Sequence, residues 1–221
     1  MPCMDIHRFL APILRVTRAR RMRLFAELVP LGPEASVLDV GGTGLNWRHA
    51  TVTPRLTFVN IKPVPDAPPG ASVVQADARA LPFPDRSFDV VFCNSVIEHV
   101  GSWEAQEAVA REIRRVGRRY FVQTPDATFP FEPHFLAPFI HWLPRPLQRR
   151  LARNATPWGL MTRPPPERVE ATLDELRLLR AAELTRLFPD AVLHRERVAG
   201  LSRSLVAVRP TPSCAPGPLY R

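Results

Sequence analysis

Short apolar runs recur along the first 125 residues, and polar or turn-forming residues follow each of them. The runs are five or six residues long, which is typical of buried strands and too short for most helices. The run at 88–93 is almost continuously apolar, as in a parallel strand that is covered on both faces. The pattern therefore predicts strands at 36–40, 56–61, 72–76, 88–93 and 119–123.

Apolar residues at spacings of three and four predict helices at 5–29, 103–116 and 173–188. Pro12 predicts a break or kink in the first helix, because proline lacks the backbone donor that a helix interior needs. Two more segments, at 191–198 and 204–208, are interpreted as closing strands near the end of the chain. Strands that alternate with helices and finish as two adjacent strands indicate an α/β fold, with a mostly parallel sheet and an antiparallel C-terminal edge hairpin.

Proline marks the loops between these elements. Residues 62–71 contain four prolines and a glycine, which predicts a loop. Residues 126–166 are rich in proline and aromatic residues, and we interpret them as an insertion with one or two short helices, the clearest at 146–154. The expected order is an N-terminal helical segment at 1–34, a main domain at 35–208 that includes the insertion, and a disordered tail at 209–221.

Composition fits one domain with a substantial core, since 45% of the 221 residues are hydrophobic. The formal net charge is +9, and Lys62 is the only lysine. The excess of arginine, alanine and proline is typical of a coding bias, whereas the charge itself favours contact with nucleic acid or an anionic membrane surface. The sequence leaves both interpretations open.

The cysteines argue against a zinc site or a disulfide framework. Cys3, Cys93 and Cys214 are far apart and form no CxxC pair, so we expect no metal and a reducing, cytoplasmic setting. Arginines interrupt the apolar residues near the N-terminus, unlike in a signal peptide. No apolar stretch approaches the roughly 20 residues that span a bilayer.

A glycine-rich turn follows the first predicted strand. Residues 37–44 read VLDVGGTG, and their glycines allow a sharp turn and a close approach of a ligand to the main chain. In open α/β sheets the ligand crevice lies at the carboxyl ends of the strands. Asp39, at the start of this turn, is therefore placed to bond an amine or a hydroxyl of a ligand.

A second motif covers residues 75–91, which read QADARALPFPDRSFDVV. An acid and a small residue follow a strand, a Leu-Pro-Phe-Pro-Asp loop comes next, and Ser-Phe-Asp enters another strand. Together with the turn, this motif resembles the small-molecule class I methyltransferases that use S-adenosylmethionine (SAM), over residues 36–125. Residues 94–100 (NSVIEHV) extend the likeness, because these enzymes often carry Glu-His there. The resemblance implies a Rossmann-like, mostly parallel seven-stranded sheet with helices on both faces.

The resemblance also implies which residues hold the methionine part of SAM. Gly41, Gly42 and Gly44 would form the floor beneath it. Asp39 is then expected near the amino group, directly or through water, and Asn94 at the methionine end. The family turn normally has one residue more than the turn at 39–44, so we expect this loop to close differently over the cofactor.

The adenosine part of SAM is expected at the second and third strands. The resemblance implies that Asp77 accepts a hydrogen bond from the adenine amine, with the Ala78 backbone beside the ring. The family usually has an acid at the ribose position, where this chain has Asn60. Asparagine supplies no charge, so we expect a weaker hold on the ribose unless Lys62 or a backbone group helps.

Methyl transfer requires a nucleophile in line with the sulfur–methyl bond. A hydroxyl acceptor would benefit from a base, for which His99 is the first candidate and His134 the second, because the pKa of histidine lies near neutrality. The alternative is that His99 orients the corner between strand and helix. The aromatic residues and two histidines at 129–144 predict either an acceptor pocket or a structural cap over the sheet.

We expect methyl transfer to a small-molecule, glycan or lipid-linked acceptor. The charge favours an RNA or DNA methyltransferase as the alternative, but residues 93–96 lack the Asn-Pro-Pro-Tyr type of pattern that binds a flipped base, so nucleic acid is not the expected partner. A non-catalytic SAM-binding protein is a third possibility. The arginines at 145–153 leave peripheral contact with an anionic membrane open, and the oligomeric state is open too.

Overall fold

The structure, a computed structural model, describes residues 6–210 and the side chains from Leu14 onward. Its strands are β1 (Ser36–Val40), β2 (Arg55–Asn60), β3 (Ser72–Gln75), β4 (Phe88–Asn94), β5 (Gly117–Pro125), β6 (Phe131–Glu132), β7 (Ala137–Pro138), β8 (Val192–Val198) and β9 (Leu201–Arg209). Its helices are α1 (Ile6–Leu28), α2 (Gly44–Trp47), α3 (Trp103–Val116), α4 (Arg145–Asn154), α5 (Pro157–Thr162), α6 (Pro166–Glu175) and α7 (Ala181–Leu187).

One seven-stranded sheet organises these elements, in the order β3-β2-β1-β4-β5-β9-β8. The strands from β1 to β5 are parallel to one another, whereas β9 runs antiparallel to both β5 and β8. The α/β prediction, with its antiparallel edge hairpin, is confirmed. Because β1 to β5 are parallel, their carboxyl ends meet at one edge of the sheet, and the turns that follow them lie together.

Apolar residues cover both faces of the sheet. On one face, Leu38 and Val40 of β1 join a core with Ile113 of α3. On the other face, Val37 joins a core with Phe25 of α1. Side chains alternate between the faces of a strand, so a run such as 37–40 must be apolar almost throughout to serve both cores. This explains why the strands were visible in the sequence.

The prediction of one helix at 173–188 is wrong. Two helices, α6 and α7, replace it, and the segment 176–180 between them is not helical. Leu179 in this segment forms a parallel bridge with Asp126. Leu173 packs in a third core with the insertion, whereas Leu184 packs against the sheet. Leucines at helical spacing therefore pack into two separate cores. A single helix would show the same spacing, so periodicity alone cannot distinguish one helix from two.

Other predictions differ in smaller ways. Helix α1 is continuous through Pro12, so the expected break is absent from the described part of the chain. The insertion contains a two-stranded hairpin, β6–β7, and a 3-10 turn at Ile140–Trp142, in addition to α4 and α5. The expected disordered tail began at Arg209, which the structure places in β9, and the rest of that prediction, from residue 211 onward, lies outside the described residues. Within residues 6–210, every helix is too short or too polar to cross a membrane.

Gln106 holds the interrupted segment in place. Its buried side chain donates to the carbonyl oxygens of Ile97 (3.0 Å) and Arg177 (2.8 Å) and accepts from the Arg177 guanidinium (2.6 Å). We expect Gln106→Ala to lower the free energy of unfolding by about 2–4 kcal/mol, because it leaves buried carbonyls without a donor. Urea denaturation measures this change.

Gln75→Ala is the matched control, since its amide makes one exposed hydrogen bond, to the Ile61 carbonyl. That variant should differ from the wild-type protein by no more than about 0.5 kcal/mol. Equal losses in the two variants would contradict the role given to Gln106.

Candidate functional site

A cleft of about 970 Å³ lies at the carboxyl ends of β4 and β5. Asn94 and Gln123 form its base, and Arg21 enters it from α1. The insertion closes the opposite side with residues that include His134. Its size and its mixture of apolar and polar lining are those of a small-molecule site. We refer to this space as the cleft.

The structure brings only some of the predicted site residues together in the cleft. Asn94, His99 and His134 line it. The glycine turn, Asn60 and the Asp77–Ala78 pair belong to the neighbouring strand ends and do not line it. The roles assigned to all of these residues stay predictions.

Arg21 is a site residue that sequence reasoning missed. Its guanidinium Nη1 donates to Asn94 Oδ1 at 2.7 Å and to Gln123 Oε1, and its Nη2 pairs with Glu196 at 2.9 Å. Its Nε is buried without a partner among the described residues. Burial lowers the pKa of Arg21. A sequence signal for its inward orientation is that it lies four residues before the apolar Phe25, because residues four apart lie on one face of a helix.

The glycine turn is tightly packed by the protein itself. Gly41 has a φ of +68°, which favours glycine, and a Cβ there would come within 2.7 Å of the Val96 side chain. A Cβ at Gly44 would overlap the Asp66 carbonyl oxygen of the loop at 62–71. Gly41 and Gly44 are thus required by close packing within the protein itself. The sequence motif had suggested that these glycines make room for a ligand.

Asp39 lies underneath this turn, completely buried. Its Oδ2 accepts a hydrogen bond from Trp47 Nε1 at 2.7 Å, and its Oδ1 has no partner among the described residues. Burial raises the pKa of Asp39 to about 8, although the Trp47 bond opposes the shift. Contact with the amino group of a cofactor would therefore require the turn to open.

Asn60 closes the shortened turn. Its Nδ2 donates to the carbonyl oxygens of Gly41 (3.1 Å) and Gly42 (3.3 Å), and its Oδ1 accepts from Lys62 N at 3.1 Å. A carboxylate has no hydrogen to donate, so an acid at this position would face two carbonyl oxygens. Asn60 therefore stabilises the shortened turn through hydrogen bonds that an acid could not donate.

Asp77 lies at the end of β3, with 41% of its side chain exposed. Arg79 holds this carboxylate through its backbone N (2.8 Å) and through its Nη2 (2.6 Å). Hydrogen bonds from Arg79 lower the pKa of Asp77, so the carboxylate is ionised at neutral pH. Ala78 beside it packs against the core that contains Leu38 and Ile113.

Two histidines and two glutamates meet at the rim of the cleft. His134 Nδ1 lies 2.5 Å from Glu132 Oε1, and His134 Nε2 lies 3.1 Å from His99 Nε2. Glu98 is buried beside them and accepts from Thr124 Oγ1 at 2.9 Å. The 3-10 turn at Ile97–His99 positions Glu98 and His99, and the β6–β7 hairpin positions the other two.

The surroundings of this cluster shift the pKa values of the two histidines in opposite directions. Desolvation at the wall of the cleft and, to a smaller extent, the neighbouring His134 together lower the pKa of His99 to about 4. Burial also acts to lower the pKa of His134, but the hydrogen bond to Glu132 and the charges of Glu132 and Glu98 together outweigh burial and raise the pKa. Burial raises the pKa of Glu98. His99 is therefore the neutral imidazole of the pair near pH 7.

Comparison with known proteins connects this fold to a family. Residues 38–120 match the family model of a methyltransferase domain. The fold is similar to the YcgJ protein from Bacillus subtilis, with 17% identity, coverage of 80% of this chain and 70% of that one, and a TM-score of 0.54. No protein of curated function matches the sequence significantly.

Two other solved structures share the fold. A SAM dependent methyltransferase from Aquifex aeolicus has 14% identity, with 93% and 94% of the two chains covered and a TM-score of 0.52. Phosphoethanolamine N-methyltransferase 2 from Haemonchus contortus, in complex with S-adenosyl-L-methionine, has 13% identity, with 80% of this chain and 38% of that one covered and a TM-score of 0.54.

The buried Asp39 predicts an unusual dependence of stability on pH. Its pKa in the folded protein, about 8, is above its ordinary value of 3.8. Between these values the unfolded chain loses the proton and the folded chain keeps it, so stability falls as pH rises. Relative to Asp39→Asn, the wild-type protein should lose up to about 1.4 kcal/mol per pH unit between about pH 4 and 8. Denaturation at several pH values measures this.

Asp89→Asn is the control with the opposite sign, because hydrogen bonds from Ser36 lower the pKa of Asp89. Its own stabilisation is present above the ordinary carboxyl pKa and is lost as pH falls. If the curves of Asp39→Asn and the wild-type protein ran parallel across this range, Asp39 would not be protonated in the fold.

Proposed function

We propose that this chain is a class I methyltransferase that uses S-adenosylmethionine and that it transfers the SAM methyl group to a small-molecule, glycan or lipid-linked acceptor. The observation that carries the proposal is the cleft of about 970 Å³ at the carboxyl ends of β4 and β5. In an α/β sheet this edge is the place where ligands bind. We further propose that the insertion at 126–166 forms the acceptor side of the cleft.

The residues present fit the cofactor at its two ends. Arg21 offers a buried cation with an unpartnered Nε, which suits the methionine carboxylate, and Asn94 lies beside it. Asp77 offers an exposed carboxylate at the end of β3 for the adenine amine. Asn60 uses its two amide hydrogens on the turn, so its hold on a ribose would depend on its Oδ1.

SAM, when bound, supplies an electrophilic methyl group on a sulfonium ion. The chain's own contribution is to hold the acceptor in line with that methyl group and to exclude water. His99 lines the cleft and is neutral near pH 7, so it is suited to accept a proton from an acceptor hydroxyl. His134, held by Glu132, orients it.

The charge of the cleft favours an acceptor that carries an anionic group. Arg18, Arg168 and Arg203 line the cleft. Within residues 14–210 none of the three forms an ion pair, whereas Arg21 is paired with Glu196. Arginine binds phosphate and carboxylate groups in a bidentate manner. A phosphate or carboxylate on the acceptor would therefore neutralise charge that the protein leaves unpaired.

Cofactor binding tests the predicted adenine contact. We expect calorimetry to show SAM binding with a Kd of about micromolar, or roughly 8 kcal/mol. Asp77→Ala should weaken it at least about tenfold, because a charge-assisted hydrogen bond is lost. Asp85→Ala is the control, since Asp85 also forms an exposed ion pair with an arginine, Arg115. Unchanged affinity in Asp77→Ala would remove Asp77 from the site.

Labelled methyl transfer identifies the acceptor. The purified protein, given methyl-labelled SAM and fractionated cell extract, should label a small molecule or lipid with an anionic group rather than nucleic acid. With that acceptor, Arg168→Ala should raise KM about tenfold, the effect of losing one charged hydrogen bond. Arg150→Ala, outside the cleft, should leave KM unchanged. Label found mainly in RNA or DNA would contradict the proposal.

A further inference from the structure

Three potential metal ligands converge at the rim of the cleft. The donor atoms of Glu98, His99 and His134 all lie within 4.8 Å of one another. The two imidazole Nε2 atoms are 3.1 Å apart. Metal bonds of about 2.0–2.2 Å place neighbouring ligand atoms roughly 3–3.5 Å apart. The histidine pair already has the spacing of two ligands on one ion, and a carboxylate oxygen of Glu98 lies within 4.8 Å of both.

The hydrogen bonding of His134 prepares its Nε2 for this role. Its Nδ1 lies 2.5 Å from Glu132 Oε1, so Nδ1 carries a hydrogen, and loss of the second ring proton on metal binding would leave the lone pair on Nε2. Glu132 is itself buried and fixed by a bond from Phe135 N at 2.7 Å. A carboxylate behind the distal nitrogen is the usual arrangement for a histidine that binds a metal.

Glu98 supplies an independent observation. The residue has no exposed surface, and its Oε2 accepts from Thr124. Its Oε1 is buried without a hydrogen-bond partner within the described part of the chain. A buried carboxylate oxygen with no partner is costly. A cation between Glu98 and the histidines would satisfy this oxygen and would bind both imidazole Nε2 atoms in place of the hydrogen between them.

We propose that Glu98, His99 and His134 bind a divalent transition-metal ion of the zinc type, with Glu132 and Thr124 as the residues that orient the ligands. Two imidazoles and one carboxylate favour zinc-like ions over magnesium or calcium, which prefer oxygen ligands. Three protein ligands leave at least one position for another donor. His99 lines the cleft, so this position faces the space in which the acceptor is proposed to bind.

The metal site narrows the acceptor class, and this step rests on the proposed function. A metal at this position would bind an oxygen of the acceptor and lower the pKa of its hydroxyl. With the metal bound, His99 would be a ligand instead of the base, so the hydroxyl proton passes to solvent at the rim, and the oxygen lone pair forms the new bond to the methyl carbon. The carbon–sulfur bond breaks with its electron pair on sulfur, which leaves a methyl ether and a neutral thioether. An oxygen acceptor is thus favoured over a carbon acceptor.

Metal titration of the full-length protein tests the site without any acceptor. Chelator-treated protein should bind one Zn²⁺ per chain by calorimetry at neutral pH, and Co²⁺ should give a visible ligand-field absorption that Zn²⁺ abolishes. Mg²⁺ should not compete. His99→Ala and His134→Ala should each weaken Zn²⁺ binding more than tenfold, and His194→Ala, on the edge strand β8, should bind as the wild-type protein does.

Glu132→Gln probes the orienting carboxylate. An amide NH₂ towards His134 Nδ1 would move the ring hydrogen to Nε2 and block the metal, so we expect a loss of about tenfold or more. Circular dichroism and SAM calorimetry establish that each variant is folded. Zn²⁺ binding that is absent, or equal in the wild-type protein and both histidine variants, would overturn the metal site even if methyl transfer persists. Metal binding without methyl transfer to any acceptor would instead contradict the proposed function.

Discussion

The parallel alignment of β1, β2, β3 and β4 is the constraint on which the site depends. Parallel strands bring their carboxyl ends to one edge of the sheet, and every predicted cofactor contact lies at the end of one of these strands or on the turn that follows it. The alignment requires helices on both faces, because the connections between parallel strands must cross over. The same requirement makes the strands apolar on both sides, and the two cores of the sheet follow from it.

A buried guanidinium connects this edge to the N-terminal helix. Arg21 bonds Asn94 of β4, Gln123 of β5 and Glu196 of β8. A charge removed from water is stable only with such partners, so α1 is fixed over the strand ends in one orientation. The helix thereby becomes a wall of the cleft as well as a cover for the core around Phe25.

The rim of the cleft joins residues that are distant in the sequence. The 3-10 turn after β4 contributes Glu98 and His99, and the β6–β7 hairpin contributes Glu132 and His134. Their close contact links the core of the sheet to the insertion, which has a small apolar core of its own. Binding of an ion or an acceptor at this rim would therefore stabilise the insertion over the cleft.

The sequence by itself determined the seven strands of the main sheet, its parallel part and the resemblance to a methyltransferase family, because these follow from local patterns of strand residues and from a contiguous motif at 75–91. Only the tertiary structure decided that the leucines of 173–188 serve two cores, that Asn60 closes the shortened turn and that Arg21 points inward. It also placed His134 against His99. Each of these depends on which distant groups satisfy a buried polar or apolar surface, and a one-dimensional pattern contains no such distances.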